Sequence, residues 1–316
     1  QSEALGDLIN SNTDLSLYSA ANQLEGALSE KINEIRTKII DITAQLCVAA
    51  DYPEEDIDYI KAEGFAVTLR EIKKDLDELI AASETGRIIR EGIRCAIIGK
   101  PNTGKSSLLN ALVGERRAIV TNIAGTTRDI VEEVINIRGI AVKLGDTAGI
   151  REGQGEAEEI GIEMARNYIN ESDICILVRD SSTSDDDEEI FNLVNSKKLI
   201  VVMNKSNLGG KDGGINTSTV TGEGIDDLKN AIYKLALGSE ITSAQKARIT
   251  NIRHRDAAVK AVQSIEFALK TINEGFPPDL AAVDLENSAA FLGEITGLTV
   301  SDEIIDKIFS KFCLGK

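Results

Sequence analysis

The stretch Gly99-Lys100-Pro101-Asn102-Thr103-Gly104-Lys105-Ser106 decides the fold. It matches G-x-x-x-x-G-K-[ST] and lies between a short apolar run at 95–98 and an amphipathic pattern that begins at Ser106. Strand, glycine loop and helix in that order is the context that gives the pattern meaning. Glycines let successive backbone N–H groups turn inward around phosphate oxygens, and the following helix N-terminus adds partial positive charge. In such a loop Lys105 reaches the β- and γ-phosphates and the Ser106 hydroxyl ligates Mg²⁺. A glycine turn without function is the rival reading, and the flanking strand and helix argue against it.

Outward from the loop, apolar runs at 131–137, 140–144, 174–178 and 199–203 read as strands. Helical segments are expected near 156–170, 186–195 and 224–236. Strands alternating with helices predict an α/β domain whose mostly parallel sheet carries helices on both faces. Before it, Leu24, Leu28, Ile32, Ile35, Ile39, Ile42 and Leu46 recur at steps of four and three, one stripe of a long helix. A turn at Asp51-Tyr52-Pro53-Glu54-Glu55 ends that helix, and Leu69, Ile72, Leu76 and Leu79 mark a second. From about Thr242 the pattern is helical again, broken at Gly275-Phe276-Pro277-Pro278. The expected organisation is a phosphate-loop α/β domain at 93–240, inserted into an all-α helical domain made of 1–92 and 241–316.

Composition narrows the function classes. With 42% hydrophobic and 28% charged residues the chain is neither a disordered tail nor a low-complexity polymer. No apolar run approaches the ~20 residues of a membrane helix. The four cysteines, Cys47, Cys95, Cys175 and Cys313, lie far apart in no paired or metal-like spacing. A single histidine, His254, leaves little material for a histidine metal site or a Ser-His-Asp triad, and between Arg253 and Arg255 it reads as part of a local basic cluster. The chain opens Gln-Ser-Glu with no charged-then-apolar leader, so a reduced, cytoplasmic compartment is expected. The balance of 35 basic against 52 acidic residues, −17 overall, opposes tight nucleic-acid binding over the whole surface, because phosphate neutralisation dominates that affinity. The acidic run 185–189 reads as a solvated loop and helix start.

Further motifs follow the loop in order. Ser107 continues the helix start. Asp146-Thr147-Ala148-Gly149 ends the strand at 140–144, where an aspartate can hold Mg²⁺ through a water and the Gly149 N–H can sense a γ-phosphate. Gly125-Thr126-Thr127-Arg128-Asp129 offers a threonine hydroxyl to complete a Mg²⁺ shell. Asn204-Lys205-Ser206-Asn207 resembles the N-K-x-D element with which GTPases read the base, and Ser218-Thr219-Val220 resembles their S-A-x element. Taken in chain order, these five elements favour GTP over ATP. Asn207 stands where aspartate is expected, so one acceptor is replaced by an NH₂ donor. That predicts a weakened grip on guanine, a relative gain for xanthosine nucleotide, and recovery in Asn207→Asp.

The segments GKPNTGKSSLLN (99–110), AIVTNIAGTTRD (118–129) and DTAGIR (146–151), with the terminal Phe312-Cys313-Leu314-Gly315-Lys316, resemble the MnmE (TrmE) family of tRNA-modification GTPases. The stretch Gln23-Leu24-Glu25-Gly26 and the turn at 51–57 fit that family's helical domain, so the resemblance covers nearly the whole chain. It implies installation of a carboxymethylaminomethyl-type group at C5 of the wobble uridine of certain tRNAs, together with the flavoprotein MnmG (GidA). It also implies hydrolysis activated by K⁺ and by transient pairing of two nucleotide-binding (G) domains within a homodimer. By position, Asn102, Thr121, Ile123 and Thr126 fall on K⁺ ligands, and Ser106 and Thr127 on Mg²⁺ ligands. Asn122, Ala124 and Gly125 lie on the same nucleotide-facing segment. Glu158 falls on the water-orienting glutamate, which the residues alone do not distinguish from Glu156 or Glu159. Arg128 and Arg151 are rival sources of the activating charge. The resemblance also implies an N-terminal domain that binds 5-formyltetrahydrofolate or a related folate, and this chain is expected to start just after it. Cys313 falls near the modification site and Lys316 on a position that touches folate carboxylates, whereas a packed thiol and a solvated terminal lysine are the plain readings. Two other functions stay open: a nucleotide-dependent dimerisation scaffold with incidental hydrolysis, and a ribosome-assembly GTPase of the Era or Der type. The second predicts a basic C-terminal domain, and 276–316 is not basic.

Overall fold

The computed structural model describes residues 2–51, 60–114, 132–146, 156–182, 191, 194, 197–209, 213–238 and 248–298. In chain order the first elements are α1 (Ser2–Ile9), α2 (Asp14–Leu24), α3 (Ala27–Asp51), α4 (Ile60–Ala81) and α5 (Ser83–Glu91). Then come β1 (Ile93–Ile98), α6 (Lys105–Val113), β2 (Glu132–Ile137), β3 (Ile140–Asp146), α7 (Glu156–Glu171) and β4 (Ile174–Asp180). The remainder are β5 (Lys198–Asn204), β6 (Ile215–Asn216), α8 (Ile225–Leu237), α9 (Ile252–Asn273) and α10 (Pro278–Thr296). The chain divides into two compact units, Gln1–Leu5 with Ala21–Arg87 and Gln245–Lys316, and Gly6–Ala20 with Ile88–Ala244. The divisions fall at 87/88 and 244/245 rather than 92/93 and 240/241, and Gly6–Ala20 groups with the α/β unit. Contacts within that unit account for the grouping. Asp7 Oδ1 accepts from Arg90 Nε at 2.8 Å, and the Leu15 side chain lies where a Cβ on Gly139 would be.

In the helical unit the stripe Leu28, Ile32, Ile35, Ile39, Ile42 and Leu46 of α3 is buried, and so are Leu69, Ile72, Leu76 and Leu79 of α4. Each such side chain contributes ~1.5–3 kcal/mol on leaving water. Leu24 departs from the expected stripe. It ends α2 at 37% exposure, because Gly26 at φ 93° breaks the helix before α3 begins. The α9–α10 hairpin turns through Gly275 at φ 71°, and Pro278 sits at the start of α10, where its missing N–H costs nothing. Small residues let α9 and α10 approach closely: Ala258, Ala261, Ala281, Ala282 and Ala289 are buried, and Ser288 Oγ donates to Ala261 O at 3.1 Å. His254, expected in a basic cluster, instead turns inward from α9 while Arg253 and Arg255 stay exposed.

Among the described residues the α/β unit forms a six-stranded sheet in the order β2-β3-β1-β4-β5-β6. All neighbours are parallel except β2, which runs antiparallel to β3 with Ile137 opposite Ile140. The two-residue turn Arg138-Gly139 has positive φ at both positions (52° and 91°), the geometry a tight hairpin favours. Alternation along the strands feeds two cores. Cys95, Ile97, Ile174, Ile176 and Val202 pack with Leu108 and Leu112 of α6 and Leu228 and Ile232 of α8. Ala96, Ile98, Cys175 and Leu177 pack with Tyr168 and Ile169 of α7. Both faces are therefore covered. Of the expected helix near 186–195 only Phe191 and Val194 are described; the acidic run 185–189, residues 52–55 of the expected turn and the C-terminal segment with Cys313 and Lys316 lie outside the described residues. Among the described residues no helix is long and apolar enough to cross a membrane.

Candidate nucleotide-binding site

β1 lies between β3 and β4, so the chain leaves it to opposite sides of the sheet, and a crevice opens at the carboxyl ends of these strands. The loop 99–104 fills that position. Gly99 has φ 148°, and a Cβ there would stand 2.3 Å from Val178 O, so only glycine lets the loop rest against β4. Asn102 (φ 63°) and Gly104 (φ 91°) are left-handed, which curls the backbone into a cradle. Thr103 Oγ1 donates to Lys100 O at 2.9 Å and bridges the loop. Lys105 is 7% exposed, and its Nζ donates to Lys100 O at 2.6 Å, which holds the ammonium against the loop. Among the described residues no side chain caps the N-terminus of α6 at Gly104. Its first N–H groups and dipole are therefore suited to an anion.

Ser106, the second residue of α6, donates from Oγ to Asp146 Oδ2 at 2.6 Å. Asp146 ends β3, and the register pairs it with Ile97 of β1, so the sheet itself brings the carboxylate to the hydroxyl. An alcohol and a carboxylate oxygen side by side are hard donors that fit Mg²⁺, which takes one or two protein oxygens and leaves its other positions to phosphate and water.

A second layer of hydrogen bonds ties the segment 204–207 to the loop. Asn204, at the end of β5, is 1% exposed, and its Nδ2 donates to Thr103 O at 2.9 Å. A Cβ on Gly104 would lie 2.2 Å from that Nδ2, so the glycine makes room for the tie. Thr217 Oγ1 donates to Asn204 Oδ1 at 3.4 Å from the other side. Lys205 is left-handed (φ 62°), and its Nζ donates to Asn102 O at 2.9 Å and to Asp180 Oδ2 at 2.6 Å. Hydrogen bonds from Lys205 and then Ser182 pull the Asp180 carboxyl down to about 2. Ser181 Oγ donates to Lys205 O at 2.9 Å. Ser218 is fully buried, and its Oγ donates to Asn207 Oδ1 at 3.1 Å.

Asn102, Thr103, Gly104, Lys105, Ser106, Asp146, Asn204, Lys205, Asn207 and Ser218 thus meet at the carboxyl ends of the strands, with Ser107 one residue further along α6. Thr219 follows Ser218 in the same loop, and Val220 is 85% exposed beyond it. Residues 121–127, Arg128, 147–149 and Arg151 lie outside the described residues; Glu158 belongs to α7, with its side chain outside them. Sequence reasoning missed Asp180 and Ser181. Their signal, an acid and a hydroxyl just past a parallel strand, is too common to stand out before β4 and β5 are known to be neighbours.

A phosphate loop on a 2-3-1-4-5-6 sheet, a hydroxyl–carboxylate pair beside it and an Asn-Lys element locked to the loop define a P-loop GTPase domain, here inserted into a helical domain. The family model for the MnmE helical domain matches residues 1–313. The chain belongs to the MnmE family. It is 45% identical to the tRNA modification GTPase MnmE of Acetivibrio thermocellus over its whole length, and covers 72% of that protein. It is 42% identical to the tRNA modification GTPase MnmE of Clostridioides difficile, with the same coverage. Among solved structures, Era of Aquifex aeolicus matches 55% of this chain and 67% of its own at 27% identity, with a TM-score of 0.38.

Proposed function

We propose that this chain is a K⁺-activated GTP-hydrolysing switch that pairs its G domains within a homodimer. In this reading it works in the cytoplasm with the flavoprotein MnmG to modify C5 of the wobble uridine of certain tRNAs. The observation that carries the hydrolytic part is the convergence of buried Lys105 with the Ser106–Asp146 pair, 2.6 Å apart, at the mouth of the loop. Phosphoryl transfer needs little covalent chemistry from a protein; it needs charge and dipoles fixed where negative charge spreads in the transition state. Lys105 and the uncapped N-terminus of α6 provide these from the chain itself. Ser106 and Asp146, with Thr127, would hold the divalent ion, and Mg²⁺ when bound would supply positive charge against the developing negative charge of the transferred phosphoryl group.

K⁺ is assigned the role an arginine finger plays elsewhere. Asn102 supports this, since it lies in the loop, is exposed, and has its carbonyl fixed by Lys205. Thr121, Ile123 and Thr126 complete the ligand set by family position, and Glu158 orients the attacking water. tRNA is held mainly with MnmG, as the −17 balance favours. A folate enters only through the part of the relatives' length that this chain does not cover. The test is Asn102→Ala: the K⁺ stimulation of GTP hydrolysis disappears while GDP affinity stays within about threefold. Unaltered K⁺ stimulation in this variant would count against the cation assignment.

A further inference from the structure

The base-reading corner departs from a guanine site in a way the structure makes specific. Ser218 is 0% exposed, and its Oγ accepts from Thr221 N at 3.3 Å while donating to Asn207 Oδ1 at 3.1 Å. Among the described residues that hydroxyl makes no other hydrogen bond. Turning the Asn207 amide over would put an N–H against the hydroxyl and strand its buried proton, which is unfavourable in a dry site. The amide is therefore held with Oδ1 toward Ser218 and Nδ2 turned away, and Nδ2 has no partner among the described residues. Asn207 itself is exposed, at the rim where the base would lie.

From this orientation the geometry points to a nucleotide site that selects purines by an acceptor at C2, so that 2-oxopurine (xanthosine) nucleotides bind better than guanine nucleotides. The inference rests on the nucleotide-site reading above. The carbonyl Oδ1 keeps a second lone pair, which accepts the purine N1–H. Nδ2 then faces the substituent at C2. Guanine presents an amine there, donor against donor. Hypoxanthine presents only C–H, and xanthine presents a carbonyl that accepts. An aspartate at the same position offers acceptors to both N1–H and the amine, so the order reverses. The charged hydrogen bond at stake is worth a factor on the order of 10 to 150 in affinity.

The experiment is calorimetric titration of GDP, inosine diphosphate and xanthosine diphosphate into the full chain, into Asn207→Asp and into Ser218→Ala. The native chain is expected to bind in the order xanthosine, inosine, guanosine, with GDP affinity rising on the order of 10- to 150-fold in Asn207→Asp. Ser218→Ala, which frees the amide to turn, is expected to narrow the xanthosine-to-guanosine ratio. A native preference for GDP over xanthosine diphosphate, or a GDP affinity unchanged in Asn207→Asp, overturns the inference and leaves the phosphate-loop site intact. If none of the three nucleotides binds to the folded native chain, the nucleotide-site reading itself fails and this inference goes with it.

Discussion

Asn204 is the most informative single side chain outside the phosphate loop, because it joins the loop to the end of β5. Asn204→Ala deletes the 2.9 Å bond from Nδ2 to Thr103 O and the 3.4 Å bond from Thr217 Oγ1. Thr103 is 4% exposed and Thr217 is 0% exposed, so neither group finds water when its partner goes. A buried polar group left unpaired costs ~1–3 kcal/mol. The 3.4 Å bond is long and counts for little, so the expected loss is about 2–3 kcal/mol. In a unit of this size that lowers Tm by about 4–12 °C. Asn204→Asp keeps the volume but turns a carboxylate toward the Thr103 carbonyl, so its loss should exceed that of alanine. Circular-dichroism melts and GDP titration of both variants test this, with GDP affinity expected to fall on the order of tenfold or more, a loss of at least ~1.4 kcal/mol. Aspartate behaving like asparagine in both assays would refute the claim that a donor at this position organises the loop.

Four further outcomes follow from the same geometry. Ser106→Ala should remove most of the Mg²⁺ dependence of GDP affinity while leaving Mg²⁺-free binding nearly unchanged, as measured by titration with and without a chelator. Gly145→Ala should destabilise by ~1–3 kcal/mol, because the new Cβ stands 2.3 Å from the Tyr168 ring; a chemical-denaturation midpoint equal to that of the native chain contradicts it. The Asp180 carboxyl falls from 3.8 to about 2 on folding, so its contribution is complete above pH ~4 and is lost as pH drops through 2. Asp180→Asn should therefore flatten the decline of stability between pH 4 and 2. Isolated chain and tRNA should form only a weak complex, given the −17 balance; a tight, salt-steep complex in filter binding, without MnmG, runs against that.

Local patterns were the legible part of this molecule. Gly99 to Ser106 places a loop after β1 and before α6 because every requirement, glycine permissiveness, strand apolarity and helix start, is written in consecutive residues. The stripe of α3 was readable for the same reason, and its one error, Leu24, came from a left-handed glycine whose effect outweighed the period. The sheet was readable as mostly parallel, whereas the antiparallel β2 depends on the Arg138-Gly139 turn, a signal short enough to pass as a loop. What sequence could not supply was orientation across the sheet. Asp180 matters only because β4 and β5 are neighbours, which brings Lys205 to it. Likewise Asn207 could be recognised as a departure, but which way its amide faces depends on Ser218, eleven residues on and reached through tertiary packing.

The Ser106–Asp146 and Asn102 corner is proposed to belong to a hydrolytic switch completed by a cation and a second G domain. The direct measurement is the specific rate of GTP hydrolysis by this chain as a function of its own concentration, in K⁺ and in Na⁺ at equal ionic strength. The rate per molecule is expected to climb with protein concentration in K⁺ and to stay low and flat in Na⁺. Equal, concentration-independent rates in the two salts would contradict it.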